Sequence, residues 1–240
     1  MTRFIILAQQ RSGSHMLMSL LNSHPDIHCN SDSQTIDIQK NGKQWAYNVG
    51  FESDSKVKGF LLKIKTNLHN KITSDENIKI IYLKRENFLH VFLSKKMAKL
   101  FGCYEKKDAG VSLKNARISR GKARPIAIDA EEAKRFFSLW EKRHKEVERH
   151  MDAGGLEHIE VKYRDLCSGT GLVMRRISEF LDIDNIEFGF VSGRGAEKLD
   201  PRSPFDAISN YDELKRYFKK DNMLTGSRWI EFFEDKNDIS

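Results

Sequence analysis

The sequence predicts an α/β protein: a three-layer fold around a central, mostly parallel sheet. Two observations carry that reading. Short apolar runs rich in β-branched and aromatic residues alternate along the chain with helical patterns, as parallel strands and their crossovers do. Only four prolines, at 25, 125, 201 and 204, and no internal repeat or low-complexity tract interrupt the alternation. With 240 residues the chain falls within the range of one large domain, so residues 1–240 are expected to form a single domain.

The elements follow in order. Phe4–Ala8 reads as the first strand, and Ser14–Asn22 as a helix with Leu17, Leu20 and Leu21 on one side. His24–Pro25 ends that helix, because the residue before a proline avoids helical backbone angles. Ile27–Asn30 reads as a short second strand, and Lys58–Lys65 as a third, carrying Phe60, Leu61, Leu62 and Ile64. Ile78–Leu83 is the strongest strand signal, and Phe88–Leu100 follows it as a helix. Asp129 is placed to cap a long helix over Ala130–Met151, with Phe136, Phe137, Trp140 and Val147 near one stripe. His158–Tyr163 reads as a late strand, and Leu172–Leu181 as a helix with Val173, Ile177, Phe180 and Leu181 turned inward.

Between about 102 and 128 the periodicity fails, and Lys106, Lys107, Lys114, Arg117, Arg120, Lys122 and Arg124 gather there. Long loops in compact domains often serve as lids or binding loops, so this one reads as either a candidate lid or a solvated excursion. The formal net charge of +7 favours anionic ligands without naming one. Cys29, Cys103 and Cys167 are scattered, with neither metal spacing nor a disulfide framework, which points to a reducing compartment. The apolar run at Phe4–Ala8 is too short for a secretory signal, and no run reaches the roughly 18 apolar residues of a membrane span. A cytoplasmic location without a membrane span is therefore expected.

The chemistry concentrates at the first strand–helix junction. Gln9-Gln10-Arg11-Ser12-Gly13-Ser14-His15-Met16 joins an apolar strand to an amphipathic helix. Backbone N–H groups and the positive end of a helix dipole converge at such a junction, which suits phosphate or sulfate. Arg11 adds a permanent charge, Ser12 and Ser14 add hydroxyls, and Gly13 permits close backbone approach. The junction lacks the lysine and second glycine of a nucleotide triphosphate loop, and it lacks the Gly-x-Gly-x-x-Gly of dinucleotide binders. A second polar cluster follows the strongest strand: Arg85 at its end and Ser94 on the next helix would suit a second phosphate. In parallel sheets ligands sit beyond the carboxyl ends of the strands, so both clusters face the same region.

Arg11-Ser12-Gly13-Ser14-His15-Met16-Leu17 with Leu20-Leu21-Asn22-Ser23-His24-Pro25 resembles the signature of sulfotransferases that use 3′-phosphoadenosine 5′-phosphosulfate, most closely the bacterial and carbohydrate-acting ones. Leu83-Lys84-Arg85-Glu86-Asn87-Phe88-Leu89 through Ser94 resembles the family's 3′-phosphate unit. Val161-Lys162-Tyr163-Arg164-Asp165-Leu166 is similar to its Tyr-Glu-Asp-Leu, and Ile208-Ser209-Asn210-Tyr211-Asp212-Glu213-Leu214 to a late motif. The resemblance implies a sulfotransferase-like architecture related to the P-loop NTPases. It also implies transfer of a sulfuryl group to a hydroxyl of a carbohydrate or related molecule.

Carried onto this chain, the family's donor site falls on Arg11, Ser12, Gly13, Ser14, His15 and Met16, with Arg85 and Ser94 on the 3′-phosphate. Its carboxylate base falls on Asp32, one methylene shorter than the usual glutamate, with His28 as the rival. His15 stands where many relatives have a second hydroxyl, so its backbone N–H is the part that carries over. Lys63 or Lys65 would face the site as a lysine does in some relatives; strand alternation puts both on one face and does not separate them. No metal is required, no nucleic-acid partner is expected, and the acceptor carries a hydroxyl: a sugar, a lipid-linked glycan, a small alcohol or a protein tyrosine are all open, with the basic loop pointing toward an anionic one such as an anionic carbohydrate. The oligomeric state is left open. The alternatives are a nucleotide-dependent kinase, or a non-enzymatic module that binds nucleic acid or another polyanion through the basic loop.

Overall fold

A computed structural model of the chain describes residues 2–30, 54–64, 78–100, 124–184 and 203–234. Asp32, Lys65, Cys103 and the basic stretch up to 123 lie outside the described residues. The described residues fall into two compact units, Met1–Glu86 with Arg143–Glu197, and Asn87–Lys142 with Lys198–Ser240.

The first unit is built on five parallel strands: β1 (Thr2–Ala8), β2 (Ile27–Asn30), β3 (Val57–Lys63), β4 (Ile78–Lys84) and β5 (His158–Lys162), in the order β2-β3-β1-β4-β5. The predicted parallel α/β architecture is thus observed. β1 is central because Phe4–Ala8 is apolar at every position and buried on both faces, as a covered parallel strand must be. Alternation along the strands then divides the core in two. Phe4, Ile6, Ala8, Leu61, Ile81 and Leu83 face one side, packed by α1 (Ser14–Leu21) and, from the far end of the chain, Leu166 and Ile177. Ile5, Leu7, Phe60, Leu62, Ile80 and Tyr82 face the other side, packed by Val147 and Met151.

The long helix Ala130–Ala153 begins where predicted: the Asp129 carboxylate accepts from the Glu132 N–H at 2.7 Å. We number it α3, after α2 (Phe88–Leu100). Its last half belongs to the first unit and covers the second sheet face. There His144 is buried, with Nδ1 against the Tyr82 hydroxyl. Lys84 bonds Glu148 at 2.5 Å at the edge of the same patch. Burial, with the nearby Lys84 charge, lowers the His144 ring to about 3, so it stays neutral. Burial likewise raises Tyr82, so its hydroxyl keeps its proton beside the neutral ring.

Most element boundaries shift by one or two residues from the sequence reading, and one shift changes the type of element. The last strand stops at Lys162, and Tyr163 opens a short helix, α4 (Tyr163–Ser168), that leads into α5 (Thr170–Leu181). Tyr163 favours a strand by propensity, but Leu166 must reach the first-face core, and only a helical turn carries it there.

The second unit holds α2, the first half of α3, α6 (Pro204–Ala207), α7 (Tyr211–Thr225) and a 3₁₀ turn at Trp229–Phe233. Phe137 is its hub, with its ring beside those of Phe88, Phe92, Phe218, Trp229 and Phe232. The Asn87 side chain caps α2, accepting from the His90 N–H and donating to the Phe232 carbonyl. The Ile208–Leu214 motif is a clip: the Asn210 amide makes two bonds of 2.9 Å to the Ile128 backbone, and the Ser209 N–H bonds Ile126.

The His144 site sets a pH dependence. An unfolded chain binds a proton near 6.5 and the native ring only near 3, so stability falls as pH drops through that window. His144→Gln keeps a hydrogen-bonding partner for Tyr82 but has no proton to gain. Urea denaturation from pH 7 to pH 4 is expected to show a slope flatter by up to about 1.4 kcal/mol per pH unit in the variant.

Candidate functional site

In the sheet order, β1 and β4 are neighbours, yet the chain leaves β1 for β2 on one side and β4 for β5 on the other. Their carboxyl ends therefore border the crevice where parallel sheets bind ligands. The residues there are the loop Gln9–Gly13 after β1 and Arg85 after β4.

The loop turns on two left-handed residues, Arg11 at φ 65° and Gly13 at φ 86°. Gly13 is also the N-cap of α1, and the first intrahelical bond runs from the Leu17 N–H to its carbonyl. The amides of the turn before that bond project from the helix start, as an anion-binding loop requires. Ser12 is buried, and its hydroxyl donates to the Gln9 carbonyl at 2.7 Å, so its proton closes the loop from within. Met16 packs into the first-face core, which leaves only its backbone for a ligand, whereas the His15 side chain is exposed.

Cations from two other strands reach this loop. Lys63, the last residue of β3, is buried, and its ammonium donates to the Ser14 hydroxyl. Of the two lysines that alternation leaves equal, Lys63 is the described one, and it lies against the helix start. Arg85 Nη1 donates to the Arg11 carbonyl at 3.2 Å, and its guanidinium carbon lies 4.4 Å from the centre of the Tyr163 ring. Arg85 thus touches the first loop directly. Ser94 is half-buried on α2 in the second unit.

Gly13 has a second reason to be glycine. A Cβ there would collide with Cδ2 and Cε2 of Tyr163. The sequence reading gave Gly13 to the ligand alone; the ring beneath it went unseen because Tyr163 reads as a strand residue. The only signal was its place in the Val161–Leu166 motif.

The motif after α1 shapes the edge strand. The Asn22 amide donates to the Cys29 carbonyl at 2.9 Å and accepts from the Cys29 N–H at 2.7 Å. His24 is buried in the same turn and accepts from the Asp26 N–H at 3.1 Å. His28 projects from β2 and bonds the Asn30 side chain at 3.0 Å. Among the described residues, no cluster of three or more His, Cys, Asp or Glu could hold a metal ion.

No family model and no curated protein matches the sequence. Solved structures do match. A sulfotransferase from Alicyclobacillus acidocaldarius aligns over 97% of this chain and 98% of its own, at 15% identity and a TM-score of 0.54. Mouse sulfotransferase SULT7A1 complexed with PAP aligns over 100% of this chain and 76% of its own, at 15% identity and a TM-score of 0.45. The sulfotransferase domain from the curacin biosynthetic pathway aligns over 91% and 97%, at 15% identity and a TM-score of 0.46. The chain has the fold of the first of these, as its motifs implied.

The two functions of Gly13 predict an asymmetric cost. Gly155 also has a positive φ, of 59°, but open space around it. Gly155→Ala is expected to lose about 1–2 kcal/mol from backbone strain alone. Gly13→Ala adds the collision and should lose about 2–5 kcal/mol in urea denaturation.

Proposed function

We propose that this protein transfers a sulfuryl group from 3′-phosphoadenosine 5′-phosphosulfate to an acceptor hydroxyl, on a carbohydrate or related molecule. The observation that carries the reading is the convergence on the start of α1. Lys63 from β3 donates to Ser14 in the first turn of α1, and Arg85 from the end of β4 donates to the Arg11 carbonyl in the loop before it, so two cations adjoin the helix-start amides and Arg11 is itself part of the loop. That donor set fits a ligand with several anionic oxygens, and such fixed charge can carry group transfer without a metal.

The bound donor would supply an activated sulfuryl group and a phosphate leaving group. In the proposed mechanism Arg11 and the amides of Ser12, Gly13, Ser14, His15 and Met16 hold the phosphosulfate oxygens. Lys63, held at Ser14, places its ammonium where charge builds as the sulfur–oxygen bond to phosphate breaks. Arg85 holds the 3′-phosphate, with Ser94 assigned to the same group from the sequence match. Asp32 follows β2 in the chain and takes the proton of the acceptor hydroxyl as that oxygen attacks sulfur in line. Asn22 supports this by fixing the β2 backbone at Cys29, just before the segment that carries Asp32. Positioning of this kind can supply much of the rate.

Adenosine 3′,5′-bisphosphate tests the donor site. At about a hundred-fold excess over Kd it should raise Tm by about 5–10 °C. No shift at any accessible concentration overturns the reading. Arg85→Ala should weaken bisphosphate binding by about ten-fold or more in calorimetry; unchanged affinity removes Arg85 from the 3′-phosphate. Asp32→Asn should keep bisphosphate affinity while turnover of labelled sulfate falls by about 10²–10⁴. Full retained turnover would move the base elsewhere, with His28 the next residue to test.

A further inference from the structure

We propose that Tyr163 is a positioning residue for the anion loop, its ring serving as the surface on which Gly13 and the Arg85 guanidinium both rest. The proposal depends on reading that loop as the donor site, and it adds the part that keeps the loop in shape. Tyr163 is 9% exposed and stands directly after β5, anchored through Leu166, which is fully buried in the first-face core. Gly13 approaches its ring so closely that no Cβ fits between them. The Arg85 guanidinium lies over the ring face, 4.4 Å from its centre, and the same guanidinium donates to the Arg11 carbonyl.

These contacts form a closed circuit: ring to Gly13, along the backbone to Arg11, across to Arg85, and back to the ring. Both left-handed residues of the loop lie on it. Arg11 is the costly one, since a side-chain-bearing residue occupies that region only when its surroundings hold it there. A flat aromatic ring suits the position twice. It lies against a bare glycine, and its negative π face attracts a guanidinium. An aliphatic residue could do the first but not the second. Both contacts are made by the ring itself, so the inference concerns the ring and not the hydroxyl.

The test uses the full chain, with Tyr163→Leu and Tyr163→Phe. Hydrogen exchange of the unliganded protein is followed at residues 9–17, with the β4 amides as internal reference, and bisphosphate affinity is measured by calorimetry. Tyr163→Leu should speed exchange at 9–17 by about ten-fold while the β4 amides stay unchanged, the sign of a local opening. It should also weaken bisphosphate binding by about ten-fold. Tyr163→Phe should restore both to within about two-fold of wild type, well inside the tenfold that 1.4 kcal/mol represents. Unchanged exchange at 9–17 in Tyr163→Leu overturns the proposal, as does a Phe variant that behaves like the Leu variant. If Tyr163→Leu does not fold, Arg85→Met leaves the ring but removes the guanidinium, and it must speed the same amides. If wild type binds no bisphosphate, the donor reading fails, yet the exchange measurement still decides whether the ring holds the loop.

Discussion

The chain must leave a fully buried central strand and enter a helix within five residues, and it does so through left-handed backbone at Arg11 and Gly13. That turn is the constraint on which the site depends. It is unfavourable for Arg11 in isolation, so neighbouring elements hold it: Arg85 from the end of β4 at the Arg11 carbonyl, Ser12 by an internal hydrogen bond, Lys63 at Ser14. The same turn aims the first amides of α1 outward. Strain and ligand geometry are one feature seen from two sides.

Much of this was legible in the sequence, for stated physical reasons. The strands showed because a parallel sheet buried on both faces demands unbroken apolar runs, as at Phe4–Ala8 and Ile78–Leu83. The Arg11 loop showed because of where it stands: an apolar strand turns into a helix there, and backbone N–H groups converge at such a junction. The Asp129 cap showed because an acid before a helical stripe has an acceptor to offer. What did not show depends on proximity between distant parts of the chain. Alternation could not show that Lys63 meets Ser14, because that contact joins residues far apart in the chain. The Arg85 bond to Arg11 did not show because it joins the ends of two strands that are adjacent only in space. Tyr163 looked like strand because local propensity cannot anticipate that Leu166 must turn toward the core. The helix Tyr211–Thr225 and the turn Trp229–Phe233 did not show, since the helix is mostly charged and polar; Phe218 and Trp229 hold them on Phe137.

The two faces of the sheet do different work. On the first face the helix α1 brings its amino end to the carboxyl end of β1, and polar groups concentrate at that rim. On the second face a tyrosine and a histidine are buried together, held neutral by the absence of water around them. A paired, neutral polar contact in a core costs little while both partners remain and much when one is removed. The second face therefore fixes how α3 lies on the sheet, leaving the first free to carry cations at its edge.

Two asparagines treat backbone as though it were a neighbouring strand. Asn22 meets both polar groups of Cys29, and Asn210 both polar groups of Ile128. Each amide offers one donor and one acceptor in the order that the facing backbone needs. Aspartate has nearly the same shape, yet it presents oxygen on both sides and sets a charged acceptor against a carbonyl. A change of one nitrogen to oxygen, by mutation or by slow deamidation of an ageing chain, would thus turn a matched pair into a repulsive one. At Asn22 that damage would fall on β2, the edge of the sheet nearest in sequence to Asp32.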